Sequence, residues 1–316
     1  MVVPPPLPIT GAQPLLTLVG PTAVGKTVVS LQLAERVGVE IISADSRQIY
    51  KELNIGTAKP APGELARVPH HFIDELELHE RFSAGEFAMR ANARIGRILQ
   101  RGRIPIIVGG STLYLHALIH GLSSVPASDP YARQTLETRL ENEGSAALYA
   151  ELNQIDPVLA DKLDPTKTQR VIRALEVFAS TGRTLSSFQE QRTPPPYQYD
   201  VKVLTMDRAR LYERINRRVD HMIEAGLLDE VRNLRSKQYD ASVPALRTIG
   251  YQEAFAFLDG NIDAGEMVGR IKRNTRRYAK RQLTWFRRYT AEHWIDLDRR
   301  DAMSLGRWNT VPKEAI

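Results

Sequence analysis

The chain has 316 residues, 42% of them hydrophobic and 25% charged, a make-up that suits a globular protein and excludes a wholly disordered or fibrous one. It contains no Cys, which excludes a disulfide framework, a thiolate metal site and a cysteine nucleophile, and it fits a cytoplasmic address. The net charge is only +6, but Arg270–Arg288 holds nine Lys and Arg and no acid, leaving −3 on the other 297 residues. Positive charge gathered in this way is the footprint of a phosphate-bearing partner.

In chain order, Met1–Thr10 is a Pro-rich tail without the basic-then-apolar order of a signal peptide. No stretch approaches the ~20 apolar residues of a membrane span. Leu15–Val19 reads as a buried strand ending at a Gly-rich turn, followed by a helix over Lys26–Val37 that Gly38 closes. Val39–Ser43 is a second buried strand. Ser83 with Glu86 forms a capping box for a helix running to about Arg101, and Ile104–Val108 is a third apolar run broken by Gly109-Gly110. Alternating strands and helices predict a P-loop NTPase-like α/β core with a parallel sheet. After Gly121 the pattern turns helical, with one helix capped by Asp164, started by Pro165 and ended by Gly182. Pro194-Pro195-Pro196 leads back to a strand at Val201–Thr205, and helices then continue to Arg288. The organisation expected is a tail (1–13), a first core segment (14–121), an all-helical insertion domain (122–198), a second core segment with the basic helix (199–300) and a tail (301–316).

Gly20-Pro21-Thr22-Ala23-Val24-Gly25-Lys26-Thr27 matches G-x-x-x-x-G-K-T between a strand and a helix. Its free amides and the helix dipole favour an anion, Lys26 adds a charge, and the Thr27 hydroxyl suits a Mg²⁺ bridging phosphate oxygens. A hydrolase of this class places an Asp at the end of another buried strand. Here the third strand ends in Gly109-Gly110-Ser111, which favours transfer to a second substrate over hydrolysis. Asp45, at the carboxyl end of the second strand, faces the same crevice. It can hold a metal, act as a general base or simply cap the next segment, and the residues alone leave these open.

Several segments resemble bacterial tRNA dimethylallyltransferases, also called tRNA isopentenyltransferases. They are Gly20–Thr27, Ile42–Tyr50, Ile55–Pro60, Val68–Asp74, Val108–Tyr114, Gln169–Val177, Arg247–Gln252 and Ala279–Arg288. Ser111 stands where the family usually has Thr, keeping the hydroxyl and losing the methyl. The resemblance implies a monomer that needs Mg²⁺ and uses dimethylallyl diphosphate as donor. The acceptor it implies is the exocyclic amine of the tRNA adenosine just 3′ of the anticodon. It further implies Asp45 as base with Ser111 beside it. Contact with tRNA would fall to Asp45, Ser46, Arg47 and Gln48, to Arg133, to Gln169, Arg170, Val171, Ile172 and Arg173, and to Arg247, Thr248, Ile249, Gly250, Tyr251 and Gln252.

On the basic segment, Ile271, Thr275, Tyr278, Gln282 and Trp285 recur on one helical face while Arg273, Arg277, Lys280 and Arg287 fall on another. The interleaved aromatics and the missing acids favour RNA backbone contact over an ordinary solvated face. Arg214 and Arg218 lie four apart on a helix, reaching a diphosphate or forming a salt-bridged surface. His70-His71 reads as structural, since neighbours on a strand point to opposite faces. A small-molecule kinase and an RNA-binding ATPase are the rival readings. The first has no use for the basic segment, and the second lacks a carboxylate on the third strand.

Overall fold

A computed structural model describes residues 13–34, 38–123, 125–126 and 128–299. Of the expected tails, residues 1–12 and 301–316 lie outside the described residues, as do residues 35–37, the last turn expected of the helix after the Gly-rich turn. The chain forms two compact units, one of residues 1–119 with 196–316 and one of residues 120–195.

The first segment of the larger unit contains β1 (Leu15–Val19), α1 (Lys26–Ala34), β2 (Val39–Ala44), α2 (Pro62–Arg67), β3 (His70–His71), α3 (Ala84–Gln100), β4 (Ile104–Gly109) and α4 (Thr112–His120). The smaller unit follows with β5 (Leu122–Ser123), α5 (Pro130–Ile155), α6 (Pro157–Ala160), α7 (Thr168–Thr181), α8 (Leu185–Glu190) and β6 (Arg192–Thr193). The chain then returns through β7 (Tyr199–Thr205), α9 (Arg208–Glu224), α10 (Leu227–Ser236), α11 (Tyr251–Leu258), α12 (Ala264–Phe286) and β8 (Trp294–Asp296). No helix among the described residues is long and apolar enough to cross a membrane.

The larger unit is built on a six-stranded parallel sheet in the order β3-β2-β4-β1-β7-β8. β2 is buried at every position and β4 at all but its first, as expected of strands covered on both faces. The chain leaves β1 through α1, skips one place to β2 and returns through α3 to β4 between them. The carboxyl ends of β1, β4 and β2 therefore open on one switch-point crevice. Ser83 caps α3 through the Glu86 amide at 3.0 Å. The first residues of that helix pack Phe87 against Tyr114 of α4, stacked with centroids 4.4 Å apart. Two short strands escape detection by periodicity, because β3 and β8 have only two and three residues.

The smaller unit differs from the expectation in two ways. It is not all-helical: β5 and β6 pair antiparallel, Leu122 opposite Thr193 and Ser123 opposite Arg192, and so join the two ends of the inserted chain. The Asp164 side chain does not cap α7. It accepts from the amide and hydroxyl of Thr166 in a turn of its own, and α7 begins only at Thr168. The helix does end at Gly182, in the left-handed conformation at φ +66°. Its core gathers Leu148, Leu152, Ala160, Ile172 and Leu175, all at or near full burial.

Candidate active site

Residues 20–27 leave β1 and enter α1 beside a cavity of about 840 Å³ in the larger unit. Thr22, Ala23, Gly25, Lys26 and Thr27 line it, whereas Val24 is fully buried and holds the loop to the core. Gly25 has φ +110°, a conformation that side chains avoid. Lys26 Nζ donates to the carbonyls of Gly20 (3.0 Å) and Pro21 (2.9 Å). Burial pulls the Lys26 ammonium down to about 8, with Arg218 pushing the same way and Asp45 opposing them.

Two arginines from α9 face the loop. Arg214 Nε donates to the Ala23 carbonyl at 3.0 Å, and Arg218 Nη2 to the Thr57 carbonyl at 3.2 Å. Burial lowers the Arg218 pKa, and the charge of Asp45 counters that effect. Both arginines line the cavity that the loop borders.

Asp45 follows β2 and lines the cavity. Its Oδ1 accepts from the amides of Arg47 (2.8 Å) and Gln48 (3.3 Å), so it caps the next turn. Capping occupies one oxygen, and among the described residues the other accepts no hydrogen bond. Both roles are thus open to one side chain. Ser111 lies off the cavity wall, where Gly110 is found instead. The Ser111 amide donates to the Ala44 carbonyl at 3.1 Å, tying the end of β4 to the strand end that presents Asp45.

Ser46, Arg47, Gln48, Arg247, Thr248, Ile249, Gly250 and Gln252 also line the cavity, so two segments some 200 residues apart are brought together (the Arg47 and Arg247 pair is 200 apart). Arg47 makes the junction, donating to the carbonyls of Pro244 and Ala245 at 3.1 Å each. Gln48 donates to those of Thr57 and Ala58. Tyr251 is fully buried, and its side chain takes no place on the surface expected for RNA.

In the smaller unit, Gln169 and Arg170 are exposed and Arg133 and Arg173 partly so. Arg133 bonds Glu137 and Gln169, and Arg173 bonds the buried Glu176 and the Pro126 carbonyl. Val171 and Ile172 were expected beside them at the surface, but they are 2% and 0% exposed and belong to the core, because consecutive residues on a helix cannot all face outward.

On α12, Arg273, Arg277 and Lys280 are exposed, and the opposite face packs inward with Ile271 buried. Periodicity puts Gln282 on that inner face without assigning it a task. Buried at 2% exposure, it accepts from the Thr22 amide (2.9 Å) and donates to the Gly110 carbonyl (2.8 Å). A polar residue within an apolar stripe was the available signal. Gly110 has no side chain because a Cβ would stand 2.5 Å from Gln282 Nε2. His70 and His71 are engaged within the fold, Nδ1 of His70 with the Val68 carbonyl and Nε2 of His71 with Glu40, both at 2.7 Å.

Phosphate loop, crevice and nearby cations define a P-loop α/β protein in which the loop and one carboxylate, Asp45, line the same cavity. The profile described as IPP transferase matches residues 48–289, and the chain belongs to that family. It is 58% identical over 284 residues to the tRNA dimethylallyltransferase of Salinibacter ruber, covering 90% of this chain and 88% of the relative. Against the tRNA dimethylallyltransferase of Chlorobium chlorochromatii it is 46% identical, covering 90% and 93%. Among solved structures, the tRNA isopentenylpyrophosphate transferase of Bacillus halodurans superposes with a TM-score of 0.68 at 41% identity, over 94% of this chain and 95% of that one. A eukaryotic dimethylallyltransferase acting on tRNA gives 0.75 at 28% identity, over 96% and 77%.

Proposed function

We propose that this chain transfers the dimethylallyl group of dimethylallyl diphosphate to the exocyclic amine of a tRNA adenosine, the one immediately 3′ of the anticodon. The observation that carries this reading is the arrangement of charge around the cavity. Lys26, Arg214 and Arg218 surround the phosphate loop, one carboxylate (Asp45) stands opposite, and β4 beside the loop ends in glycine rather than in an acid.

In the reaction, the bond between the allylic carbon and the diphosphate oxygen breaks, and its electron pair stays on that oxygen. Amides of Ala23, Gly25, Lys26 and Thr27 and the three cations meet the charge that develops there, the kind of preorganised stabilisation that lowers such barriers most. The adenine nitrogen forms the new C–N bond and gives up a proton. Asp45 accepts it at the oxygen left free by capping, a role worth about 10²–10⁴-fold. Ser111 is assigned to positioning that carboxylate through the Ala44 carbonyl, not to proton transfer.

The donor set fits Mg²⁺. The Thr27 hydroxyl and Asp45 supply hard oxygens in one cavity, and among the described residues no cluster of three or more His, Cys, Asp or Glu forms a cage of its own. That matches a metal held by few protein ligands plus phosphate oxygens. Thr27 would hold it, and when bound it neutralises charge on the leaving diphosphate.

The adenine must leave its stack for its amine to reach Asp45 in the cavity. Arg273, Arg277 and Lys280 on α12, and Arg133, Gln169, Arg170 and Arg173 in the smaller unit, are assigned to the RNA backbone. The test is to incubate the chain with Mg²⁺ and tRNA, supplying either dimethylallyl diphosphate or ATP, and to weigh the tRNA. One dimethylallyl group gained with the first donor alone is expected. Phosphate transfer from ATP, or no gain with either donor, would refute the reading.

A further inference from the structure

Glu230, on α10, does not line the cavity, yet its carboxylate controls a loop that does. Oε2 accepts hydrogen bonds from the amides of Asn54 (3.2 Å) and Ile55 (2.8 Å), and Oε1 from the amide of Gly56 (3.2 Å) and the hydroxyl of Tyr251 (2.5 Å). Successive amides curled around one anion form a nest, a site whose affinity depends on the negative charge. Tyr251 lies so close over Gly56 that a Cβ there would stand 2.4 Å from its ring, so the loop and the tyrosine are fitted to each other.

Beyond the nest the same loop becomes cavity wall, with Gly56, Thr57 and Ala58 lining it. The Thr57 carbonyl accepts from Arg218 Nη2 and from Gln48 Nε2, both at 3.2 Å. Ala58 sits at φ +45°, a conformation that a residue with a Cβ adopts only when its surroundings impose it. The imposing contacts are Gln48 on its carbonyl and Glu230 on the amides just before it.

We propose that Glu230 is a positioning residue for the donor diphosphate. By fixing residues 54–56 through their amides it fixes the Thr57 carbonyl, which aims the Arg218 guanidinium at the phosphate site. The proposal rests on the reading of Arg218 as a diphosphate ligand given above. A neutral amide at 230 would turn its own NH₂ toward a row of N–H donors, so Gln is not an adequate substitute.

The measurement is calorimetric titration of the full chain with inorganic diphosphate and Mg²⁺, which needs no prenyl transfer. Glu230→Gln should weaken binding about tenfold, the scale of a charge-assisted hydrogen bond. Tyr251→Phe, which keeps the ring over Gly56 and removes only the hydroxyl, should weaken it less and in the same direction. In an Arg218→Ala background neither change should cost anything further. In prenyl-transfer kinetics the loss should appear in KM for dimethylallyl diphosphate, with kcat nearly preserved. If Glu230→Gln fails to fold, Tyr251→Phe completes the same cycle. Equal losses with and without Arg218 would overturn the role of Glu230 while leaving the donor site standing. A wild-type chain that does not bind diphosphate would sink the donor-site reading and this proposal with it.

Discussion

Replacing Gly110 by Ala would put a methyl group 2.5 Å from Gln282 Nε2, closer than real contacts allow. The Gln282 side chain would have to swing away, breaking its bonds to the Gly110 carbonyl and the Thr22 amide. At about 1 kcal/mol net for each bond, plus about 1 kcal/mol for a buried amide left unpaired, the loss is roughly 3 kcal/mol. Gly110 does not use a left-handed φ, so the stiffer unfolded chain returns about 0.4–1 kcal/mol. A net destabilisation of about 2 kcal/mol remains, which should lower the melting temperature by roughly 3 °C in a chain of this size. Calorimetric melting of Gly110→Ala, Gln282→Leu and the double variant checks the cause. With the Gln282 amide gone, the 2.5 Å clash is removed and the nearest remaining neighbours of the methyl are the Gly20 carbonyl at 3.2 Å and Lys26 Nζ at 3.5 Å, so Gly110→Ala should then cost clearly less than in the wild-type chain. Additive losses in the double variant would refute the argument, because the damage would not run through Gln282.

Asp45→Asn should slow the chemical step by at least ~10²-fold in single-turnover kinetics while leaving tRNA binding nearly intact, since an amide still caps but cannot take the proton. A near-wild-type rate would leave Asp45 a cap alone. Changing Arg273, Arg277 and Lys280 to Gln should weaken tRNA binding most at low salt. The plot of log K against log salt should flatten by roughly 0.7–0.9 for each phosphate no longer neutralised. An unchanged slope would make this face of α12 merely solvated. Lys26 titrates at about 8 in the free site against 10.5 in the unfolded chain. Below about 8 it is already charged, whereas above that value binding of a diphosphate must draw a proton onto it, so affinity should fall as pH rises from 8. Titration in buffers of different ionisation heat should show proton uptake there, and Lys26→Arg should abolish it. By linkage the unfolded chain holds the extra proton between about 8 and 10.5, so this group's penalty on stability is relieved as pH rises through that window.

The phosphate loop was legible because its motif lies within eight consecutive residues between a strand and a helix that are themselves local. The stripe Ile271, Thr275, Tyr278, Gln282 and Trp285 was legible as a helical face, since periodicity reports which residues share a side. It does not report what that side meets, and Gln282 meets Thr22 from 260 positions away. Glu230 was invisible for the same reason, as its partners Asn54–Gly56 lie 174 to 176 positions back and nothing in LLDEVRNLRS sets one acid apart from its neighbours. The start of α7 was misplaced because Asp164 and Pro165 form a helix-initiation signal that a local turn used first. Val171 and Ile172 were grouped with Gln169, Arg170 and Arg173 by a shared motif, but the turn of the helix sends the apolar pair inward and the charges outward.

The placing of β1 between β4 and β7 has a consequence for how the protein is made. A chain growing from its N-terminus completes β1, its loop and β4 early, but one side of β1 stays an open edge until Tyr199–Val203 arrives to pair with Leu15–Val19. All of the 120–195 unit is synthesised in between. Even then the loop lacks the partner for its Thr22 amide until Gln282 follows, close to the end of the described chain. An exposed apolar strand edge is where nascent chains pair wrongly. A message cut short between codons 109 and 282 would therefore yield a product with β1 and β4 present and the Thr22 amide of its phosphate loop without its Gln282 partner, a substrate for chaperones and proteases and not a weak enzyme.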